Sequence, residues 1–140
     1  MATIKLQVVP IYAGFLAIYY VGLTLHVVLT RSDRKIAFGT KGNAVLETRI
    51  RRHGNFSEYV PISLILFSFL EINQSSSTFL HSLCISLSVG RFLHTFGLDG
   101  TVPKPSPIKM SARVIGMVLT VTSINVAAVT LILSCLELWP

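Results

Sequence analysis

The chain has 140 residues, 51% of them hydrophobic and only 13% charged, with a mean hydropathy of +0.66 and a net charge of +6. Soluble domains carry about 25% charged residues, so the composition excludes an ordinary soluble domain, and the length suits a single one. Nor does the positive balance point to nucleic acid, because the cations gather in two short stretches, seven between Arg31 and Arg52 and four between Arg91 and Arg113.

A transmembrane helix needs about 20 mostly apolar residues. Residues 6–30, 72–90 and 114–136 lack Asp, Glu, Lys and Arg, and are 25, 19 and 23 residues long. A fourth uncharged run, 59–70, has only 12 residues and reaches spanning length if its helix begins as far back as Ala44. The expected fold is an all-α, integral membrane four-helix bundle, one domain over residues 1–140, with helices at roughly 5–30, 44–71, 78–97 and 111–136. In such a serpentine the first and third connections share a side. Both are basic, so the positive-inside rule puts them in the cytoplasm and both termini on the far side.

The first helix carries Pro10 in its first turns and Tyr12, Tyr19 and Tyr20, which read as interface anchors. Its apolar run is too long for a signal-peptide core and lacks a small-residue cleavage site, so it is expected to remain as a helix. His26 near its end reads as a headgroup-level residue. Residues 31–43, basic and containing Gly39 and Gly42, read as a surface loop.

The second helix holds the most polar stretch, Arg51-Arg52-His53-Gly54-Asn55-Phe56-Ser57-Glu58-Tyr59-Val60-Pro61. Ionisable groups beside hydrocarbon are costly and imply a functional site. Arg51, Asn55 and Glu58 fall at i, i+4 and i+7 and share one face. Pro61 cannot donate a helical hydrogen bond, which predicts a kink just beyond them. In the third helix Arg91, His94 and Thr95 share a face. Pro103, Pro105 and Pro107 then predict a non-helical loop from Asp99 to Lys109. The fourth helix sets Arg113, Gly116, Met117 and Thr120 on one face, with Gly116 permitting close helix approach. Trp139 is expected to anchor the far interface.

Cys84 and Cys135 lie in apolar runs and read as small buried hydrophobes. Neither a CxxC spacing nor a His/Cys cluster is present, so no metal is expected. The three polar groups on helices two, three and four offer Arg51, Arg91 and Arg113 as cations, Asn55 as an amide and Glu58 as an anion. That set suits a small zwitterion with several carboxylates and an amine. The competing reading is a structural network of Arg51 and Glu58, with Arg91 and Arg113 snorkelling to the interface. No pairing suggests covalent catalysis by Ser, His or Cys, and the interiors of the apolar runs lack the Asp or Glu of a proton-coupled exporter.

Arg51-x-x-x-Asn55-x-x-Glu58-Tyr59-x-Pro61, Gly90-Arg91-x-x-His94 and Arg113-x-x-Gly116-Met117-x-x-Thr120 together resemble the MAPEG family, the membrane-associated proteins of eicosanoid and glutathione metabolism. The likeness runs from about Arg34 to Thr120 and is greatest to small bacterial members. It implies a homotrimer in the bacterial inner membrane, binding glutathione as cosubstrate between subunits near the cytoplasmic face. Arg51, Asn55, Glu58 and Tyr59 would contact glutathione, with Arg91 and His94 lining the same pocket. Arg113 matches the arginine that lies beside the thiol in some family enzymes, where it would stabilise the thiolate. A lipophilic electrophile or hydroperoxide would arrive from the membrane lipid. Catalytic relatives often carry a tyrosine shortly after the third-helix arginine, where this chain has Phe96, Gly97 and Leu98, and some have serine at the position of Val114. The family also contains a non-enzymatic lipid-binding scaffold, so the resemblance implies either an enzyme or a non-catalytic binding protein.

Overall fold

The computed structural model describes residues 6–100 and 105–136. Four helices follow one another: α1 (Val9–Arg34), α2 (Ala44–Ile72), α3 (Ser77–Gly97) and α4 (Pro107–Cys135). No strand occurs among the described residues. Three helices, α1, α2 and α4, are long and apolar enough to cross a membrane, and the protein is a membrane protein. The weakest expected span, α2, therefore qualifies, because it does extend back to Ala44. α3 does not. The uncharged run 72–90 starts in the last turn of α2 and the connection after it, so α3 takes only the later part and continues through Arg91 and His94. Its 21 residues still extend about 32 Å. Four serines and two histidines dilute its hydropathy, and much of its polarity is turned into the bundle.

Local chemistry sets the helix ends. α1 starts at Val9 rather than near Lys5, with Pro10 in its first turn, where a missing N–H is tolerated. It runs past Thr30 to Arg34 and stops where Lys35 takes a left-handed conformation (φ 52°). The Arg31 guanidinium then gathers the carbonyls of Ile36, Ala37 and Gly39. Side chains of Asn43, Ser76 and Ser106 accept from backbone N–H groups and cap α2, α3 and α4. α4 begins at Pro107, four residues before the expected start. Ser106 followed by proline at the first helical position is a helix-start signal, so the third proline of the loop opens the helix instead of blocking it. α2 is helical without interruption through Pro61. Lys5, Pro103, Lys104 and Trp139, with the anchoring role expected of the last, lie outside the described residues.

The helices run alternately up and down. At one end, the Arg52 Nε donates to the carbonyl of Leu98 (2.9 Å) and the Gly100 N–H donates to Thr48 Oγ1 (3.1 Å), tying the α3–α4 connection to the first turns of α2. At the other end the Glu71 carboxylate accepts from the N–H groups of Gln7, Val8 and Val9 at 2.5, 2.6 and 2.9 Å. α1 has no side-chain cap of its own at Val8. The last turn of α2 supplies one.

The core lies around α3, where Leu80, Leu83, Cys84 and Leu87 meet Leu16 and Leu23 of α1, Phe56, Val60 and Phe67 of α2 and Ala127 of α4. Cys84 is buried as expected, but Cys135 is exposed in the last turn of α4. The tyrosines of α1 face inward as well: Tyr20 stacks on His53 (4.7 Å between centroids), Tyr19 packs on Phe92 (4.4 Å), and the Tyr12 hydroxyl meets His81 Nδ1 at 2.9 Å. These contacts hold α1 to its neighbours. α3 and α4 approach most closely at Gly90 and Gly116. A Cβ on Gly116 would lie 2.5 Å from both the Gly90 carbonyl oxygen and the His94 nitrogen. Large apolar side chains such as Phe15, Ile18, Val118 and Ile132 point outward, more than half exposed, as suits a chain whose outer solvent is lipid.

Candidate functional site

At the end of the bundle that carries the basic connections, α2, the end of α3 and the start of α4 enclose an open cleft of about 730 Å³. Its polar wall is formed by Arg51, Asn55 and Glu58 from α2, His94 from α3 and Arg113 from α4. Its apolar wall is Leu98 with Met110, Val114, Met117 and Val118 of α4. A second hollow of about 360 Å³ adjoins it toward the end of the bundle and shares Arg51, Leu98, Met110 and Arg113. The i, i+4, i+7 row on α2 does lie on one wall, as its spacing predicts.

Arg91 and Tyr59 lie behind that wall and do not line the cleft. Arg91 is 1% exposed, in a helix whose neighbours approach through glycine, so its guanidinium cannot snorkel out. Its Nε donates to Thr120 Oγ1 (2.9 Å), one Nη to Asn55 Oδ1 (2.8 Å) and the other to the Gly116 carbonyl (3.5 Å). Its charged carbon sits 5.1 Å from the centroid of the Tyr59 ring, an electrostatic attraction that grows when desolvated. No carboxylate pairs with it among the described residues. A buried cation without its hydrogen bonds would be strongly unfavourable, so these contacts hold α2, α3 and α4 in register.

This geometry fixes the chemistry of Asn55. Arginine has donors and no acceptor, so the amide oxygen must face Arg91 and the NH2 group is left for the cleft. The cleft wall thus presents a donor at Asn55, cations at Arg51 and Arg113, and an anion at Glu58. Arg51 is held at 3.3 Å by Glu47 one turn earlier, an exposed pair of small energetic value. Glu58 and Arg113 have no hydrogen bond or ion pair among the described residues, so the Arg51–Glu58 network of the competing reading does not form. Of the expected site residues, Arg51, Asn55, Glu58, His94 and Arg113 are brought together. The face predicted on α4 divides: Arg113 and Met117 turn to the cleft, while Gly116 and Thr120 turn to α3.

The MAPEG family profile matches residues 9–133, nearly the whole of the helical bundle. The chain belongs to the MAPEG family. Two curated relatives, both inner membrane protein YecN from strains of Escherichia coli, are 34% identical over 91 residues, covering 65% of this chain and 70% of theirs. No solved structure matches significantly. Within this MAPEG bundle, Glu47 at i−4 from Arg51 was legible as a helix-surface partner but carries no motif. Met110, which with Leu98 closes the cleft, has no signal in the sequence beyond being apolar.

Proposed function

We propose that this MAPEG protein is a membrane-bound glutathione-dependent transferase or peroxidase acting on lipophilic electrophiles or hydroperoxides. The observation that carries the reading is the cleft in which Glu58 and Arg113, opposite in charge and unpaired among the described residues, lie with Arg51 and Asn55. Glutathione has two carboxylates and one ammonium. Arg51 and the Asn55 NH2 suit the former and Glu58 the latter, while Arg113 takes the thiolate. In transfer, the thiol proton leaves to solvent, sulfur bonds to the electrophilic carbon, and the leaving group departs with the electron pair. In peroxide reduction, two glutathione molecules become a disulfide as the hydroperoxide becomes alcohol and water. The apolar wall of α4 would receive the second substrate from lipid. Because the cleft is open in one chain, a homotrimer that closes it with a neighbouring subunit fits this scheme. So does an inner membrane location with the cleft toward the cytoplasm, given the basic connections at that end and the relatives' name.

A non-catalytic glutathione- or lipid-binding protein is the second reading. Leu98, a hydrocarbon, occupies the cleft near where catalytic relatives often carry a tyrosine, and the relatives' name states a location and no reaction. Detergent-purified protein given glutathione and an aryl halide distinguishes the two. Turnover that disappears in Arg113→Ala supports the enzyme. Thermal stabilisation by glutathione that is lost in Glu58→Gln, without turnover, supports the binding protein. Absence of any glutathione effect overturns the assignment of the cleft as a glutathione site in both readings.

A further inference from the structure

A second groove, of about 750 Å³, lies between α1 and α3 and shares no lining residue with the cleft. Its floor and sides are Ile18, Tyr19, Leu23, Phe92 and Phe96; Ile18, Phe92 and Phe96 are about half exposed or more. Its other end is polar, with His26, Arg52, Thr95 and Lys109. Arg49, which donates to the His26 carbonyl and to Thr30, stands beside that end. Asp99 is the only acidic group paired there among the described residues, and it takes Lys109. Arg52 spends its Nε on the Leu98 carbonyl, and among the described residues its two Nη groups have no hydrogen bond or ion pair, which leaves them to meet an anion. From Ile18 to His26 the groove follows two turns of α1, about 12 Å. It therefore passes from hydrocarbon to cation over roughly the distance between the upper acyl chain of a phospholipid and its phosphate.

We infer that this groove is a binding site for an anionic phospholipid of the surrounding bilayer, its phosphate held at Arg52 beside the Lys109–Asp99 pair and its first acyl segment lying against Phe92 and Phe96. A flat apolar helix face would take any lipid. Here the groove has a cationic rim at one end and an aromatic wall, and that combination selects charge as well as hydrocarbon. The site is separate from the proposed glutathione cleft and does not depend on it.

The test is lipid quenching in reconstituted vesicles of Phe96→Trp made in a Trp139→Phe background. Brominated phosphatidylglycerol is compared with brominated phosphatidylcholine. Phosphatidylglycerol should quench preferentially. In Arg52→Gln that preference should fall by about fivefold, the size of one Lys or Arg attracted to an anionic surface. Because Arg52 also bonds to the end of α3, Arg52→Lys provides the control and should keep most of the preference. Equal quenching by the two lipids, or a preference untouched in Arg52→Gln, overturns the site. So does a Trp at position 96 quenched by neither lipid, since a protein neighbour would then cover the groove.

Discussion

Asn55 is the residue whose chemistry is most constrained by its neighbour. Its oxygen is committed to the buried Arg91, so only its NH2 can serve a ligand. Asn55→Asp removes that donor while giving Arg91 an anion. Glutathione affinity, measured by titration calorimetry, should fall about tenfold or more, the value of one hydrogen bond to a charged group. The melting temperature in detergent should hold or rise. Affinity at the wild-type level would show that the amide does not touch the ligand. The face of Arg51, Asn55 and Glu58 was legible because one helix and one spacing decide it. The placement of Arg91 was not. A cation before His94 reads as a ligand contact or as a side chain snorkelling to the interface, and only the approach of α4 through Gly116 and Thr120 encloses it.

At the level of the helices, the α3–α4 contact rests on the absence of side-chain bulk. Alanine is favoured over glycine inside a helix by about 1 kcal/mol, so Gly116→Ala would stabilise if nothing stood in the way. The added methyl would meet the Gly90 carbonyl and the His94 nitrogen. Overpacking of this kind costs about 1–3 kcal/mol, so the net effect should be destabilising. Gly14→Ala, where nothing lies within 4 Å, should be neutral or stabilising in the same thermal-denaturation assay. Equal behaviour of the two variants would remove the close approach as an explanation. Four helices could be read from uncharged runs, but not which of them would be the polar one. The turn inside the uncharged run 72–90 lies where the expected helix bounds put it, but the serines and histidines of α3 lower its hydropathy below that of the other three helices. Nor could the start of α4 be read from a loop rich in proline, because the same residue ends helices and begins them.

For the whole molecule, the alternation of helices puts the α1–α2 and α3–α4 connections at one end and the α2–α3 turn with the end of α4 at the other. Cys135 is exposed at that second end, and Cys84 is buried. An impermeant maleimide offered to sealed vesicles should therefore label Cys135 and Ala37→Cys from opposite sides. Gly100→Cys should label from the same side as Ala37→Cys. Labelling of all three from one side would contradict a bundle that crosses the membrane an even number of times. Because the basic stretches are at the end of Ala37 and Gly100, the positive-inside rule predicts that this end is the one shielded in right-side-out vesicles, and labelling of Ala37→Cys there from outside would refute it.

The carboxylate of Glu71 has a consequence for biosynthesis. The backbone donors at the start of α1 emerge from the ribosome more than sixty residues before the group that satisfies them. Until residue 71 has been made, those donors must rely on water or lipid headgroups. The first helix can thus be threaded early, yet its outer turn locks only when the second has crossed back beside it. The two helices mature as one hairpin, and a nascent chain cut short before Glu71 would leave the first with an unfastened start.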